Sequence, residues 1–470
     1  NQDLPGLDNP NNANPVQVLR EYPYGRRSDE GRAMLQIVHD VAPKAKLAFR
    51  TGFISAGDFA EGIRELKNDS CDIIVDDVTF ITEPFFQDGV VANAVDEVTA
   101  AGVSYFSAAG NYGTKSYEGI FTPHAAPAGF AANLPAHNFG GGDVMQQVTL
   151  PKGVYTIVLQ WDDSIYSRGQ LPGAANDLDI YLMDDNGNKL FGFNRDNSFG
   201  DPIEVLPFTV KGNATANIVI VRASGTQAVK FKYVVFRGEM IINEHNNGTS
   251  TIVGQANAEG AMAVGAVLYL NTPAYGQESD SVTVASFSSR GGTTINGQVR
   301  NKPDFVAPNG VNTTVSLTNI NLEQDAFTNF FGTSASAPHV AAAAALLKEA
   351  KNKFYGQNML PYEVKSVLQE SSFEMHEAGL DFKSGSGLIQ IDSAILSMAS
   401  PLPVVTTLNF NSAITPGSVS FPCIINGRFF TPSSQVLLRG EAIQANYINS
   451  TQMEAFIPEY EGNPSVVVRN

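Results

Sequence analysis

The sequence predicts an α/β protein: a three-layer domain around a parallel sheet, interrupted by an all-β insertion and followed by a small β-domain. Three patterns carry this. From residue 28 to about 107, helices with an apolar face alternate with short apolar strands, the pattern of βα units. From about 137 to 238 helical periodicity stops, and short strands follow one another through turns. A proline-rich joint at Pro401 then opens a strand-rich tail. The expected segments are 1–136 and 240–400 for the α/β domain, 137–239 for the insertion and 401–470 for the tail, within a chain of 470 residues.

Composition narrows the function. The net charge of −17 argues against nucleic acid and anionic membrane surfaces as partners. No apolar run is long enough to span a bilayer. Cys71 and Cys423 are far apart and lack metal-ligand spacing, so they read as two buried thiols. The chain opens on Asn rather than Met and shows no signal peptide, which reads as a processed or partial chain.

In chain order, Val16 to Leu19 reads as a brief strand in an Asn/Pro/Gly-rich stretch. Ser28 can cap a helix whose apolar face holds Ala33, Met34, Ile37 and Val41, and Pro43 ends it. Lys46 to Phe49 reads as a strand and Phe59 to Leu66 as a helix. Asp72 to Val78 is a buried-type strand ending in two acids, Asp76 and Asp77, which need a reason to be there. A helix (Val91 to Ala101), a strand (Val103 to Ser107) and Ala108-Ala109-Gly110-Asn111 follow.

The insertion supplies Val144 to Leu150, Tyr155 to Trp161, Leu178 to Met183, Ile203 to Val210, Ile218 to Arg222 and Phe231 to Arg237, the strands of an antiparallel β-sandwich or jelly roll. Asp162, Asp163, Asn176, Asp177 and Asp179 are oxygen ligands that could hold Ca²⁺; turn formation explains the same residues.

The most informative stretch is Phe331-Gly332-Thr333-Ser334-Ala335-Ser336-Ala337-Pro338-His339-Val340. Gly332 permits a tight turn, Thr333 and Ser334 can cap a helix, and Pro338 fits its first turn. A serine there faces free backbone N–H groups and the positive end of the helix dipole, which suits the oxyanion of acyl transfer. His339 lies on the same helix and reads as a packing residue.

This stretch closely resembles the serine motif of the subtilases, the subtilisin-like serine peptidases. The resemblance implies that Ser334 is the nucleophile and that the parallel-sheet domain is subtilisin-like. Ala108 to Asn111 resembles a second subtilase motif, implying that the Asn111 amide donates to the oxyanion. Ala263 to Ala266, Ala285 to Gly291, Lys302 to Pro308, Tyr362 to Glu370 and Gly385 to Ile389 are similar to later parts of the family. By the same resemblance Asp76, Gly110 and Thr333, neighbours of Asp77, Asn111 and Ser334, fall on the substrate-binding side.

The chain departs from the pattern at the base. Aligned backwards from Val41-Ala42-Pro43, the place of the subtilase histidine is held by Glu30. Glutamate there resembles the sedolisins, but the second sedolisin acid is replaced by Met34 and their oxyanion aspartate by Asn111. His39 lies nine residues from Glu30, about 13 Å along the helix and half a turn round, so the two cannot both face one serine. Glu30 is favoured as base, with Asp77 or Asp76 as its partner; a solvated strand end is the other account of those two acids. Subtilases also carry an early strand ending in an aspartate that orients the base. None precedes residue 28, and Asp3 sits in a loop-like stub.

Two functions follow from the resemblance. One is a secreted or cell-surface serine endopeptidase acting on proteins or peptides, needing no cofactor, with Ca²⁺ as an optional ion and an upstream fragment of the same precursor as a partner. The other is a subtilase-fold scaffold without turnover, engaged in adhesion or assembly with other surface proteins. The insertion resembles accessory β-domains of bacterial secreted peptidases. The tail, through Pro416-Gly417-Ser418 and Asn426 to Phe430, resembles an immunoglobulin-like IPT/TIG module.

Overall fold

The computed structural model describes residues 3–25, 28–131, 133–246, 248, 250–277, 282–399, 402–411 and 413–470. The expected joint at Pro401 lies outside the described residues. The chain divides into two compact units, Asn1–Ala341 with Phe373–Leu388, and Ala342–Ser372 with Ile389–Asn470.

The first unit opens with β1 (Gln17–Arg20), α1 (Glu30–Val41), β2 (Ala48–Arg50), α2 (Ala56–Asn68), β3 (Ile73–Asp76), α3 (Val90–Ala100) and β4 (Ser104–Ala108). The helices form where apolar residues recur on one face. In α1, Ala33, Met34 and Ile37 recur on one buried face. Ser55 caps α2 by accepting the Asp58 N–H at 3.1 Å. Eleven strands follow: β5 (Ser116–Ile120), β6 (Pro123–Ala125), β7 (Pro135–His137), β8 (Gln146–Leu150), β9 (Gly153–Trp161), β10 (Asp177–Met183), β11 (Lys189–Phe193), β12 (Ile203–Val210), β13 (Ala214–Ser224), β14 (Lys230–Arg237) and β15 (Ile241–Ile242). The chain then returns through β16 (Ala261–Leu268), the hairpin β17 (Thr294–Ile295) and β18 (Gln298–Val299), β19 (Phe305–Asn309), β20 (Val311–Thr313) and β21 (Thr328–Phe330) to α4 (Thr333–Tyr355).

The central sheet runs β19-β16-β4-β3, all parallel. Helices α2 and α3 pack together against Ile74 and Tyr105. A separate cluster joins α1 through Ala33, Met34 and Ile37 to Phe330 and to Ala335 of α4, with Val75 of β3 beside it. The N-termini of α1 and α4 therefore converge on the carboxyl end of β3, where open α/β sheets build their sites. β2 pairs in parallel only with β1, in a sheet of its own.

The inserted strands form two antiparallel sheets, β12-β9-β14-β5 and β11-β10-β13-β7-β6, the second joined by β8 and β15. They share one core, in which Tyr155, Ile157, Leu159, Phe231 and Tyr233 of one sheet meet Val148, Leu178, Ile180, Ile218 and Ile220 of the other. The boundary expected at residue 137 moves: β5 pairs with β14 from Ser116 to Ile120, and Tyr117 is part of that core. The sequence of β5, with Glu118 and Gly119 in the middle, lacks the alternation that would have announced it.

The second unit holds the distal part of α4, α5 (Pro361–Glu370) and α6 (Ile391–Met398). It also holds strands β22 (Val404–Asn409), β23 (Phe421–Arg428), β24 (Gln435–Leu438), β25 (Glu441–Ile443), β26 (Ala445–Asn449), β27 (Gln452–Ile457) and β28 (Val466–Arg469). These make sheets β22-β23-β27-β26 and β25-β24-β28 over a shared core of Phe421, Ile425, Val436, Met453 and Val468. Among the described residues no helix is long and apolar enough to cross a membrane.

Candidate active site

Gly332 turns the chain into α4 with φ +107°, a backbone that L side chains rarely adopt. A Cβ there would also sit 3.0 Å from the Asn111 Nδ2. The adjoining loop is pinned to it: the Thr333 N–H and Oγ1 both donate to Asn111 Oδ1, at 3.0 and 3.1 Å. The Gly110 N–H in turn donates to Thr333 Oγ1 at 3.1 Å. Asn111 is thereby fixed with its amide nitrogen beside Gly332, next to the helix end that carries Ser334. Gly110 and Thr333, expected on the substrate-binding side, spend these groups on one another; the Gly110 carbonyl also accepts the Ser289 N–H at 2.9 Å. Their role here is to hold Asn111.

Ser334 is buried to 7 % exposure in the first turn of α4. Asp77, the residue after β3, meets it: the Asp77 carboxyl has side-chain hydrogen-bonding interactions with both the Ser334 hydroxyl and the Glu30 carboxyl. Desolvation, then the charges of Glu30 and Asp76, and the bond to Glu30 hold Asp77 well above the usual carboxylate range, while Ser334 pulls the other way. Glu30 is the first residue of α1, and its N–H donates to Ser28 Oγ at 3.2 Å. The expected cap by Ser28 is thus a single local bond; the N-cap position is Asp29, whose side chain makes no cap bond. The helix approaches β2 so closely that a Cβ at residue 31 would lie 2.6 Å from the Phe49 ring. Glycine at 31 is what lets Glu30 reach this position.

Asp76 does not share the site. It is buried and accepts from Tyr105 Oη (2.6 Å), Ser107 Oγ (3.2 Å), Gln255 Nε2 (2.9 Å) and the Val78 N–H (3.2 Å). Desolvation lifts it to about 6 against the pull of these donors. Its assignment to substrate binding is replaced by a supporting one: its bonds fix the end of β3, hence Asp77. Tyr105, Ser107 and Gln255 were missed in the sequence. The available signal was Tyr105 and Ser107 at alternate positions of one strand, hence on one face of it.

His39 is buried and its Nε2 pairs with Asn9 Nδ2 at 2.8 Å, on the side of α1 away from Ser334. His339 Nδ1 pairs with the Ala335 carbonyl of its own helix at 2.8 Å, and burial pushes its imidazole down. Neither histidine stands beside the nucleophile. Next to Glu30 and Asp77 lies a cavity of about 470 Å³. Its walls are α1 (Met34, Val38), α2 (Phe59, Ile63) and the facing edges of β2 and β3. Among the described residues neither edge pairs with a strand there. The one strand before residue 28, β1, ends in Arg20.

The four expected metal ligands are not brought together. Asp162 is exposed. Asp163 stabilises a turn, with Oδ2 accepting the Ala175 and Asn176 N–H groups at 2.9 Å each and Oδ1 the Ser164 N–H at 2.8 Å. Asp177 and Asp179 gather instead with Glu204, a residue sequence reasoning passed over.

Residues 191–387 match the subtilase family, a stretch that includes Ser334 and excludes Glu30, Asp77 and Asn111. A stretch of 190 residues, 38% of this chain, is 30% identical to fervidolysin of Fervidobacterium pennivorans. It covers 24% of that protein, so the chain spans about a quarter of the relative's length. The structure of the Clostridium perfringens CspB protease is similar with a TM-score of 0.50 at 15% identity, covering 75% of this chain and 74% of that one. A lanthipeptide protease is similar with a TM-score of 0.40 at 12% identity over 80% and 78%. Residues 191–387 are thus similar to subtilase sequence, and the fold is similar to that of the CspB protease.

Proposed function

We propose that the protein is a serine endopeptidase in which a pair of carboxyl groups replaces the usual imidazole. One observation supports this most: the Asp77 carboxyl interacts with both the Ser334 hydroxyl and the Glu30 carboxyl. Two adjacent carboxyl groups do not both ionise readily, and Asp77 is the one held above the usual carboxylate range. Ser334 Oγ attacks the peptide carbonyl carbon while its proton passes to the pair. The oxyanion is met by the Asn111 amide and the backbone at the start of α4. The pair then gives a proton to the leaving amine, the C–N bond breaks, and water repeats the sequence on the acyl-enzyme. Glu30 was expected to take the proton directly; in this reading Asp77 makes the contact to Ser334 and Glu30 acts as its partner, which the interactions of Asp77 with both support.

The cavity beside the pair bears on the early aspartate-bearing strand that the family resemblance implies. We propose that an extended apolar segment, a fragment of the same precursor, pairs between β2 and β3 and sets its last acid near Glu30. Intact mass spectrometry of the naturally produced protein after gel filtration reads this directly, as a retained peptide. We read the two inserted sheets as an accessory β-sandwich and the tail as an IPT/TIG-like module, both serving an exported peptidase.

Labelling with a fluorophosphonate from pH 3 to 9 tests the active-site reading. Labelling is expected to require Ser334, to fall with Asp77→Asn and Glu30→Gln, and to rise with pH as the pair loses its first proton. No labelling of the folded chain at any pH, with the upstream segment restored, would leave only the scaffold.

A further inference from the structure

We propose that Asp177, Asp179 and Glu204 form a Ca²⁺ site that joins the two sheets of the insertion. The three come from different sheets: Asp177 and Asp179 from β10, Glu204 from β12. One oxygen from each lies within 4.8 Å of the others. Two ligands on opposite sides of a Ca²⁺, each about 2.4 Å from it, stand about 4.8 Å apart. All three residues are buried, Glu204 to 0 % exposure.

The second observation is that these oxygens lack the donors buried carboxylates need. Oδ1 of Asp179 has no hydrogen-bond partner, and the two oxygens of Glu204 have none of good geometry, only the Arg195 backbone N–H drawing near. Oδ1 of Asn197 is likewise unpartnered and buried. Asn197 is held next to the cluster by its own N–H to Asp177 (3.2 Å) and its Nδ2 to the Ile203 carbonyl (3.0 Å). An uncompensated buried charge costs several kcal/mol, so a cluster like this is neutralised by protons or by a cation. On β12 the alternate positions Glu204, Leu206 and Phe208 are all buried. A glutamate is an anomaly in that series unless it has a ligand.

The surrounding charges do not supply the cation. Burial and the neighbouring acids lift Asp179 to about 7 and Glu204 to about 8, and Asp177 is raised as well. Lys189 and Arg195 oppose this only in part, Tyr181 donates to Asp179 at 3.3 Å, and Asp196 adds repulsion. The donors are all hard oxygens, with no sulfur or imidazole, which selects Ca²⁺ over the transition metals. By contrast, Asp143, Glu244 and His245 also gather but are half-exposed and already partnered. Asp143 accepts from His245 at 3.0 Å, and Glu244 accepts the Gln147 N–H at 2.7 Å.

The chain carries its own reporter. Trp161, the one tryptophan in the sequence, is buried and donates its Nε1–H to the Asn176 carbonyl at 3.1 Å, one residue from Asp177. Chelator-treated full-length protein is titrated with Tb³⁺ at pH 7.5 under Trp excitation, and with Ca²⁺ by calorimetry. The expected results are sensitised Tb³⁺ emission, its displacement by Ca²⁺, and a Kd on the order of 1–100 μM. Asp179→Asn with Glu204→Gln is expected to weaken Ca²⁺ binding at least about 100-fold, while Tm in chelator stays equal or rises because repulsion is relieved. Asp162→Asn with Asp163→Asn should bind Ca²⁺ as the wild type does. Absence of heat and of any Tm shift at 10 mM Ca²⁺ overturns the site, as does wild-type binding by the Asp179/Glu204 double variant.

Discussion

The molecule gathers acids in two places, and the two differ in what surrounds them. At the end of β3, Asp77 and Glu30 sit half-buried with the Ser334 hydroxyl interacting with Asp77, while the neighbouring Asp76 is tied to four donors. In the insertion, Asp177, Asp179 and Glu204 are buried together with several oxygens unsatisfied. The first arrangement can share one proton and pass it to or from a neighbour. The second can only be neutralised as a block. Acid proximity alone therefore does not define chemistry; the donors around it do.

If the comparison holds, substitutions in the two clusters have separable effects. The largest is expected from Asp77→Asn: fluorophosphonate labelling should fall by about 10²–10⁴-fold, while the calcium-dependent Tm shift persists. A loss of both would merge the clusters into one structural effect. Asn111→Ala should lower kcat by about 10²–10³-fold with little change in KM, since its donor acts on the developing oxyanion. An equal change carried by KM would make Asn111 a binding residue.

Next in size is the response to pH. Asp179 and Glu204 have folded-state values raised to about 7 and about 8, so the folded state holds protons that the unfolded chain has released. In chelator, this cluster's contribution to stability is full below about pH 4 and lost as pH rises towards 8. Added Ca²⁺ should flatten that fall, because the ion replaces the protons. Denaturant unfolding at pH 5 and 8, with and without Ca²⁺, reads it; equal slopes would separate the cluster from any cation. The smallest expected effect is Tyr105→Phe, which removes one donor from Asp76 and should cost about 1–3 kcal/mol of stability with labelling changed only a few-fold.

Legibility followed the range of the interactions. Ser334 and Asn111 were singled out by short local motifs, Gly332 at positive φ opening the helix of one; the bond from Thr333 to Asn111 that joins them spans 222 residues and was not legible. The helices and strands of the parallel sheet fell close to their expected bounds for the same reason, their faces being written at 3.6- and 2-residue periods. Glu30 could be placed by counting back from Pro43, but not its contact, which depends on Gly31 passing Phe49. Glu204 was invisible because Ile203-Glu204-Val205-Leu206-Pro207-Phe208 alternates plausibly with either face inward, and only pairing with β9 decides which. Asp162 and Asp163 drew attention as ligands because turn acids and metal acids share a composition.

The insertion also governs how the site comes into being. Asn111 leaves the sheet at the end of β4, and the strand that pairs next to β4 is β16, with Tyr105 opposite Ala261, about 150 residues downstream. Contacts that far apart form late in folding, because the intervening chain must be ordered before they are rewarded. Once β5 through β15 have collapsed onto their own core, the effective loop shortens and β16 and α4 can dock. The Ser334–Asn111 arrangement is therefore a late event in biogenesis, completed only after the insertion has folded.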